Sequence, residues 1–282
     1  MPATISSEKA TNIQIEPTET EHVRIRHRDW NCEWLLQFPE MVVANDAVAK
    51  HFAPLPQKWR QDGPQAWSYE WRPSPAYFKE FVPQVFKDKQ GKPIYELIDG
   101  LVLHSAIVGG TDEVSLTLTL TNTSKEPMRQ VLCDGGCFGA RNPEFGGISA
   151  VGRSFVWIDG KMVNLATLDR TVTTKCAYHS DPAGYERPIE RHCEGFWGRS
   201  SARIGEPAIL GAVSTGGDKA VVIGYQHAQS ALANAKGNTC LHSRPEFHDI
   251  APGRSVVRRG YVLFGNDVQK LAERLRQRLL SA

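Results

Sequence analysis

The strictest alternation of apolar and polar positions lies at residues 114–121. There Val114, Leu116, Leu118 and Leu120 share one face and Ser115, Thr117, Thr119 and Thr121 the other. A period of two with β-branched residues at alternate positions predicts a strand with one face buried. The polar run 122–127 supplies a turn, 128–133 reads as the returning strand, and 97–107 is a preceding strand or pair broken near Asp99-Gly100. Asp159-Gly160 sits between strand-like runs at 154–158 and 161–165, and Thr215-Gly216-Gly217-Asp218 between 208–214 and 219–226, both hairpin signals. A last pair is read at 239–241 and 256–264, on either side of Ala251-Pro252-Gly253. Near the start, 12–15 reads as an edge strand and 22–26 as an alternating strand with a basic face. Strand, turn, strand order without helical periods between predicts an all-β, mainly antiparallel fold, a large β-sandwich.

Two stretches depart from this rhythm. Residues 52–86 interleave Trp59, Trp67, Tyr69 and Trp71 with repeated prolines, which suits a long loop packed across a sheet or the wall of a ligand cleft. At the end, Val268, Leu271, Ala272, Leu275 and Leu279 recur at helical spacing, with Arg274, Arg276 and Arg278 largely off the stripe. Asn266 is the expected N-cap and Gln269 its capping-box partner. The organisation read from the chain is a flexible arm over 1–20, one β-sandwich domain over 21–265, and an amphipathic helix over 266–282 packed on it.

Composition sharpens the picture in three ways. With 282 residues and 41% hydrophobic content, a core forms without help from disulfides or metal. The 33 basic and 31 acidic residues leave a net charge of +2, so no general attraction to nucleic acid or an anionic membrane is expected. The first residues lack the basic and apolar regions of a secretory signal, and no later run approaches the ~20 apolar residues of a membrane span. A soluble cytosolic protein is the expectation, although a chain trimmed of its signal would read the same. Six dispersed cysteines are then expected as free thiols.

The run Asn238-Thr239-Cys240-Leu241-His242-Ser243-Arg244-Pro245, followed by Ile250-Ala251-Pro252-Gly253-Arg254-Ser255 and an alternating strand, resembles the end of the galactose mutarotase-like β-sandwich superfamily. The strand and polar turn SLTLTLTNTS at 115–124 also resemble sugar-binding sandwich domains. The resemblance implies a β-sandwich of supersandwich type and a carbohydrate or sugar-derived ligand. The family's usual chemistry interconverts sugar anomers, with a carboxylate taking the anomeric hydroxyl proton and a histidine protonating the ring oxygen. In the terminal motif that carboxylate typically follows Cys-Leu, where this chain has His242, a departure that puts mutarotation itself in doubt.

Imidazoles exchange protons at neutral pH, so the histidines are the first candidates for acid and base groups. His242 and His179 are read as the exchanging pair, and Glu194 or Asp134 as the orienting or activating carboxylate. Asp134 precedes Gly135 and Gly136, which allow close backbone approach or simply make a tight turn; Glu194 stands near Trp197. Arg141 is read as neutralising a uronate carboxylate, with His104, His227, Trp197 and Trp71 as further binding groups. Each histidine has a plainer reading as a satisfied core or rim side chain. Cys133, Cys137, Cys176 and His179 are the donors with some metal-ligand spacing, but none forms a paired C-x₂-C arrangement, so no metal and no cofactor is expected. Phosphate-loop, dinucleotide, zincin and hydrolase-elbow motifs are absent. The function expected is acid-base catalysis on a sugar or uronate-containing substrate, as lyase, isomerase or hydrolase. The alternatives are a noncatalytic carbohydrate-binding protein and an assembly protein that forms a homo-oligomer through its aromatic-rich segment.

Overall fold

The computed structural model describes residues 11–51, 58–75, 95–141, 143–146, 150–171, 175–187, 197–234 and 239–281. Five strands open it: β1 (Ile13–Pro17), β2 (His22–His27), β3 (Glu33–Gln37), β4 (Met41–Ala44) and β5 (Ala47–His51). All join one sheet. The next four, β6 (Arg60–Gly63), β7 (Ala66–Trp71), β8 (Leu101–Gly109) and β9 (Glu113–Asn122), belong to a second. The chain returns to the first sheet with β10 (Met128–Asp134) and β11 (Cys137–Ala140), and to the second with β12 (Ser154–Ile158) and β13 (Lys161–Asn164). It alternates again through β14 (Lys175–His179) and β15 (Gly198–Arg203), then β16 (Ile209–Val213) and β17 (Ala220–Tyr225). The last strands are β18 (Ala228–Asn234) and β19 (Cys240–Ile250) of the first sheet and β20 (Ser255–Gly265) of the second, before helix α1 (Val268–Ser281).

Among the described residues the sheets have eleven and nine strands, almost all antiparallel, stacked as a sandwich on one apolar core. The fold is the all-β sandwich expected from the alternation. Val114, Leu116, Leu118 and Leu120 of β9 point into the core, as do Leu101, Leu103 and Ile107 of β8. Helix α1 lies on the outer face of the nine-stranded sheet. There Leu271, Ala272, Leu275 and Leu279 cover Ile209, Val222 and Leu263.

Four expectations need correction. Part of the segment read as an aromatic loop is the hairpin β6–β7, in which Tyr69 and Trp71 are core residues; the remainder, 52–57 and 76–86, lies outside the described residues. The helix is capped by Asp267, whose carboxylate accepts from the N–H groups of Gln269 and Lys270 at 3.0 and 3.1 Å. Asn266 is not the cap, and the Gln269 side chain instead bonds Met162 and Gly160 backbone groups. Arg278, expected off the stripe, pairs with Glu113 and lies over the Tyr261 ring. Finally, Cys137 and Cys240 form a disulfide, and Cys32, Cys133 and Cys176 are buried.

Strand β19 is the axis of the eleven-stranded sheet. One of its edges pairs with β18; the other pairs first with β11, through Cys240 and Leu241, and then with β10, through Glu246, His248 and Ile250. Between β11 and β10 the link Gly135-Gly136 interrupts the ladder, and one row further out Phe38-Pro39-Glu40 interrupts β3 and β4 at the same level. The result is a fault line across two neighbouring strand rows beside the continuous β19. Gly135 is obligatory there: a Cβ would lie 2.6 Å from the Tyr225 ring and 2.8 Å from the Ser243 carbonyl.

Candidate active site

The fault line sets the site. Within β19, Leu241 and Phe247 enter the core and Ser243 bonds the Ala208 carbonyl, so alternation turns His242, Arg244 and Glu246 to the opposite face. Asp134 ends β10 beside them, paired with Met41 of β4. Because the Glu40 N–H donates to the Asp134 carbonyl at 3.2 Å, Glu40 is held at the same place. Its own link is fixed from behind. Tyr69 donates to the Phe38 carbonyl at 2.5 Å, and the wholly buried Lys50 donates to the Pro39 carbonyl at 2.8 Å. Burial holds the Lys50 pKa below the ordinary lysine range.

Three ionisable groups converge on this spot. His242 Nδ1 lies 3.1 and 3.0 Å from the two carboxylate oxygens of Asp134 and 3.1 Å from Glu40 Oε2. Its other nitrogen, Nε2, lies 2.8 Å from the Sγ of Cys240. All three are buried, with 2%, 2% and 6% of the surface of His242, Asp134 and Glu40 exposed. Burial disfavours the charged ring, but the Asp134 and Glu40 carboxylates outweigh it and push the His242 pKa up to about 10. At neutral pH the group is an imidazolium between two carboxylates, donating from Nδ1 to Asp134 and from Nε2 to sulfur. The Trp197 ring approaches it edge-on, centroids 6.5 Å apart, and Lys175 Nζ lies 5.1 Å from the indole centroid.

Donor atoms of Glu40, Asp134 and His242 fall within 4.8 Å of one another, as do those of Cys137, Cys240 and His242. The Cys137 and Cys240 sulfurs are joined in a disulfide, which presents no thiolate, and His242 Nδ1 lies within hydrogen-bonding distance of Asp134 and Glu40. The other donors considered, Cys133, Cys176 and His179, are not drawn together with Cys137. Cys133 and Cys176 point into the core, where burial raises both thiol pKa values.

The structure brings together His242, Asp134 and Trp197 and distributes the other candidates elsewhere. His179, at the end of β14, packs its ring against Tyr185 at 4.3 Å and lines a separate small cavity of about 130 Å³ with Asp181, Arg187 and Gln229. It does not form a pair with His242. Arg187 makes an ion pair with Glu246, which shares the face of His242 but stands four residues along β19, roughly 13 Å away at a strand rise of about 3.3 Å per residue. Arg141 is exposed beyond β11 and lines a shallow depression near β1 to β3 with Arg26, Arg28 and Trp30. His227 is exposed at the turn between β17 and β18. Trp71 is a core residue of the nine-stranded sheet, and His104, paired with Glu70 and Thr119, faces outward from it. Glu194 lies outside the described residues. Sequence reasoning missed Glu40 and the role of Cys240. The available signal was a lone carboxylate within the apolar run 34–43, because a buried charge requires a partner.

No family model and no curated protein matches the sequence. Among solved structures, the chain is similar to a galactose mutarotase-like protein from Lactobacillus casei, at 8% identity and a TM-score of 0.49 over 91% of this chain and 98% of that one. It is similar to a galactose mutarotase related enzyme from Lactobacillus acidophilus, at 8% identity and a TM-score of 0.45 over the same shares of the two chains. A third similar structure is the Slr1438 protein of Synechocystis sp. PCC 6803, at 9% identity and a TM-score of 0.48 over 95% and 100%. At such identities and TM-scores these likenesses transfer no catalytic residue.

Proposed function

We propose that the chain processes a carbohydrate or sugar-derived molecule by proton transfer at the fault line of its eleven-stranded sheet. One observation supports this reading above others: an imidazolium, two carboxylates and an indole occupy one small region, assembled from four separate stretches of chain. In this reading Asp134, with both oxygens on Nδ1, orients the ring and keeps it charged. Glu40, the less buried carboxylate, takes the proton from the substrate, and His242 returns one through the same pair. Trp197 covers the apolar face of a pyranose, and Lys175 beside it favours a substrate bearing a carboxylate, such as a uronate.

A second reading, sugar binding without turnover, is favoured by the engagement of both His242 nitrogens. One experiment separates the two. The full chain is incubated with free aldoses and uronates and with uronate-containing oligosaccharides. Anomer exchange is followed by proton magnetic resonance, unsaturated products by ultraviolet absorbance, and binding by calorimetry. Turnover that falls about 10²- to 10⁴-fold in Glu40→Gln and in His242→Gln, with binding retained, supports proton transfer. Binding without turnover supports the second reading, and neither binding nor turnover with any sugar removes both.

A further inference from the structure

The bond between Cys137 and Cys240 places a disulfide directly against the charged group of the site. Phe138 pairs with Leu241 in the ladder between β11 and β19, so Cys137 stands across from His242 and on the same face as Cys240. The two sulfurs have unequal surroundings. Cys137 is partly exposed, whereas Cys240 is 4% exposed and its Sγ lies 2.8 Å from Nε2 of His242. With Nδ1 donating to Asp134, the Nε2 proton is directed at Cys240 and at no sulfur of the core. Two other buried cysteines meet opposite conditions: burial raises the Cys133 thiol pKa and pushes that of Cys176 up to about 11.

We propose that Cys137–Cys240 is a polarised exchange site for a low-molecular-weight thiol, which bonds to Cys137 and expels Cys240 as a thiolate held by His242. In the step, the incoming thiol loses its proton to solvent and its sulfur attacks the Sγ of Cys137. A new bond forms between those sulfurs as the Cys137–Cys240 bond breaks, and the bonding pair leaves on Cys240. The incoming thiol is oxidised to a mixed disulfide and Cys240 is reduced, so electrons and atoms balance without a further reactant. Exchange favours the accessible sulfur as the point of attack and the better stabilised thiolate as the leaving group, and both criteria select the same polarity here. The site shares His242 with the proton-transfer reading but requires no sugar. Its readout is covalent, so either reading can fail alone.

Glutathione is the probe. Free thiols of the native full chain are first blocked with N-ethylmaleimide, the protein is desalted and exposed to glutathione, and acid-quenched samples are peptide-mapped by mass spectrometry. The expected product carries glutathione on Cys137 and a free thiol at Cys240. That thiol should react with iodoacetamide with an apparent pKa below the ordinary value of about 8.5. The exchange rate should fall about tenfold or more in His242→Gln and in Asp134→Asn, which remove or release the charged donor. Glutathione on Cys240, or on both cysteines equally, overturns the proposal. So does blocking of Cys137 and Cys240 by maleimide before any glutathione is added, or absence of exchange. Should either variant fail to fold by circular dichroism, the position of the adduct and the Cys240 titration in the unmodified chain still decide.

Discussion

At the scale of single residues, the proposed proton transfer depends on one histidine whose charge is fixed by its surroundings. The pKa of His242 is about 10 in the folded chain and near 6.5 when unfolded. A group raised in this way contributes stability that is fully present below pH 6.5 and is lost as pH climbs towards 10. Unfolding free energy measured in urea should therefore decline across that window, and His242→Gln should flatten the decline. An unchanged slope in the variant would assign it to another group. The same value fixes the activity profile: if turnover needs the imidazolium, its alkaline limb should lie near pH 10, and a limb near 6.5 would exclude the charged ring. Asp134, His242 and Trp197 were legible in the sequence as polar or aromatic groups near glycines and strand ends. Glu40 was not, because its partners are 94 and 202 positions away and only the folded sheet sets it beside them.

At the scale of elements, hairpins with strong turn chemistry were readable and strands held by distant partners were not. Asp159 and Gly160, at φ 46° and 83°, make the tight turn that the sequence signalled between β12 and β13. Asn45 and Asp46, at φ 53° and 61°, make a similar one between β4 and β5 without a glycine, and the signal was weaker for it. Strands β14, β15 and β18 follow no strict alternation, since their pairing across the sheet supplies what local pattern does not. The links that interrupt the ladder carry the site, and their tolerance is low. A Gly135→Ala methyl would meet a buried ring and a backbone carbonyl, neither free to move aside. A loss of about 1–3 kcal/mol in urea unfolding is expected, as for overpacking elsewhere. Glycine to alanine at Gly217, whose Cβ would meet nothing within 4 Å but whose φ is 76°, separates the effect of backbone strain from that of the collision.

At the scale of the whole molecule, the two outer faces of the sandwich have been given different tasks. Alternation and the final apolar stripe revealed the layers and the helix. The order of strands within each sheet was illegible, because crossovers between sheets leave no local trace. The nine-stranded sheet hides apolar residues under α1, while the eleven-stranded sheet turns charged groups outward at its fault line. Helix and site thus lie on opposite sides of the core and share no partner, so changes to them should add. Truncating Leu275→Ala removes a fully buried side chain over β17 and β20 and should cost about 2–5 kcal/mol, depending on how far the helix settles into the space. The same substitution should leave ligand binding and glutathione exchange unchanged. Combined with Asp134→Asn, the two losses of stability should sum to within about 0.5 kcal/mol. A larger deviation would mean that the sandwich transmits strain from the helix-covered sheet to the fault line, and that the two faces answer to each other.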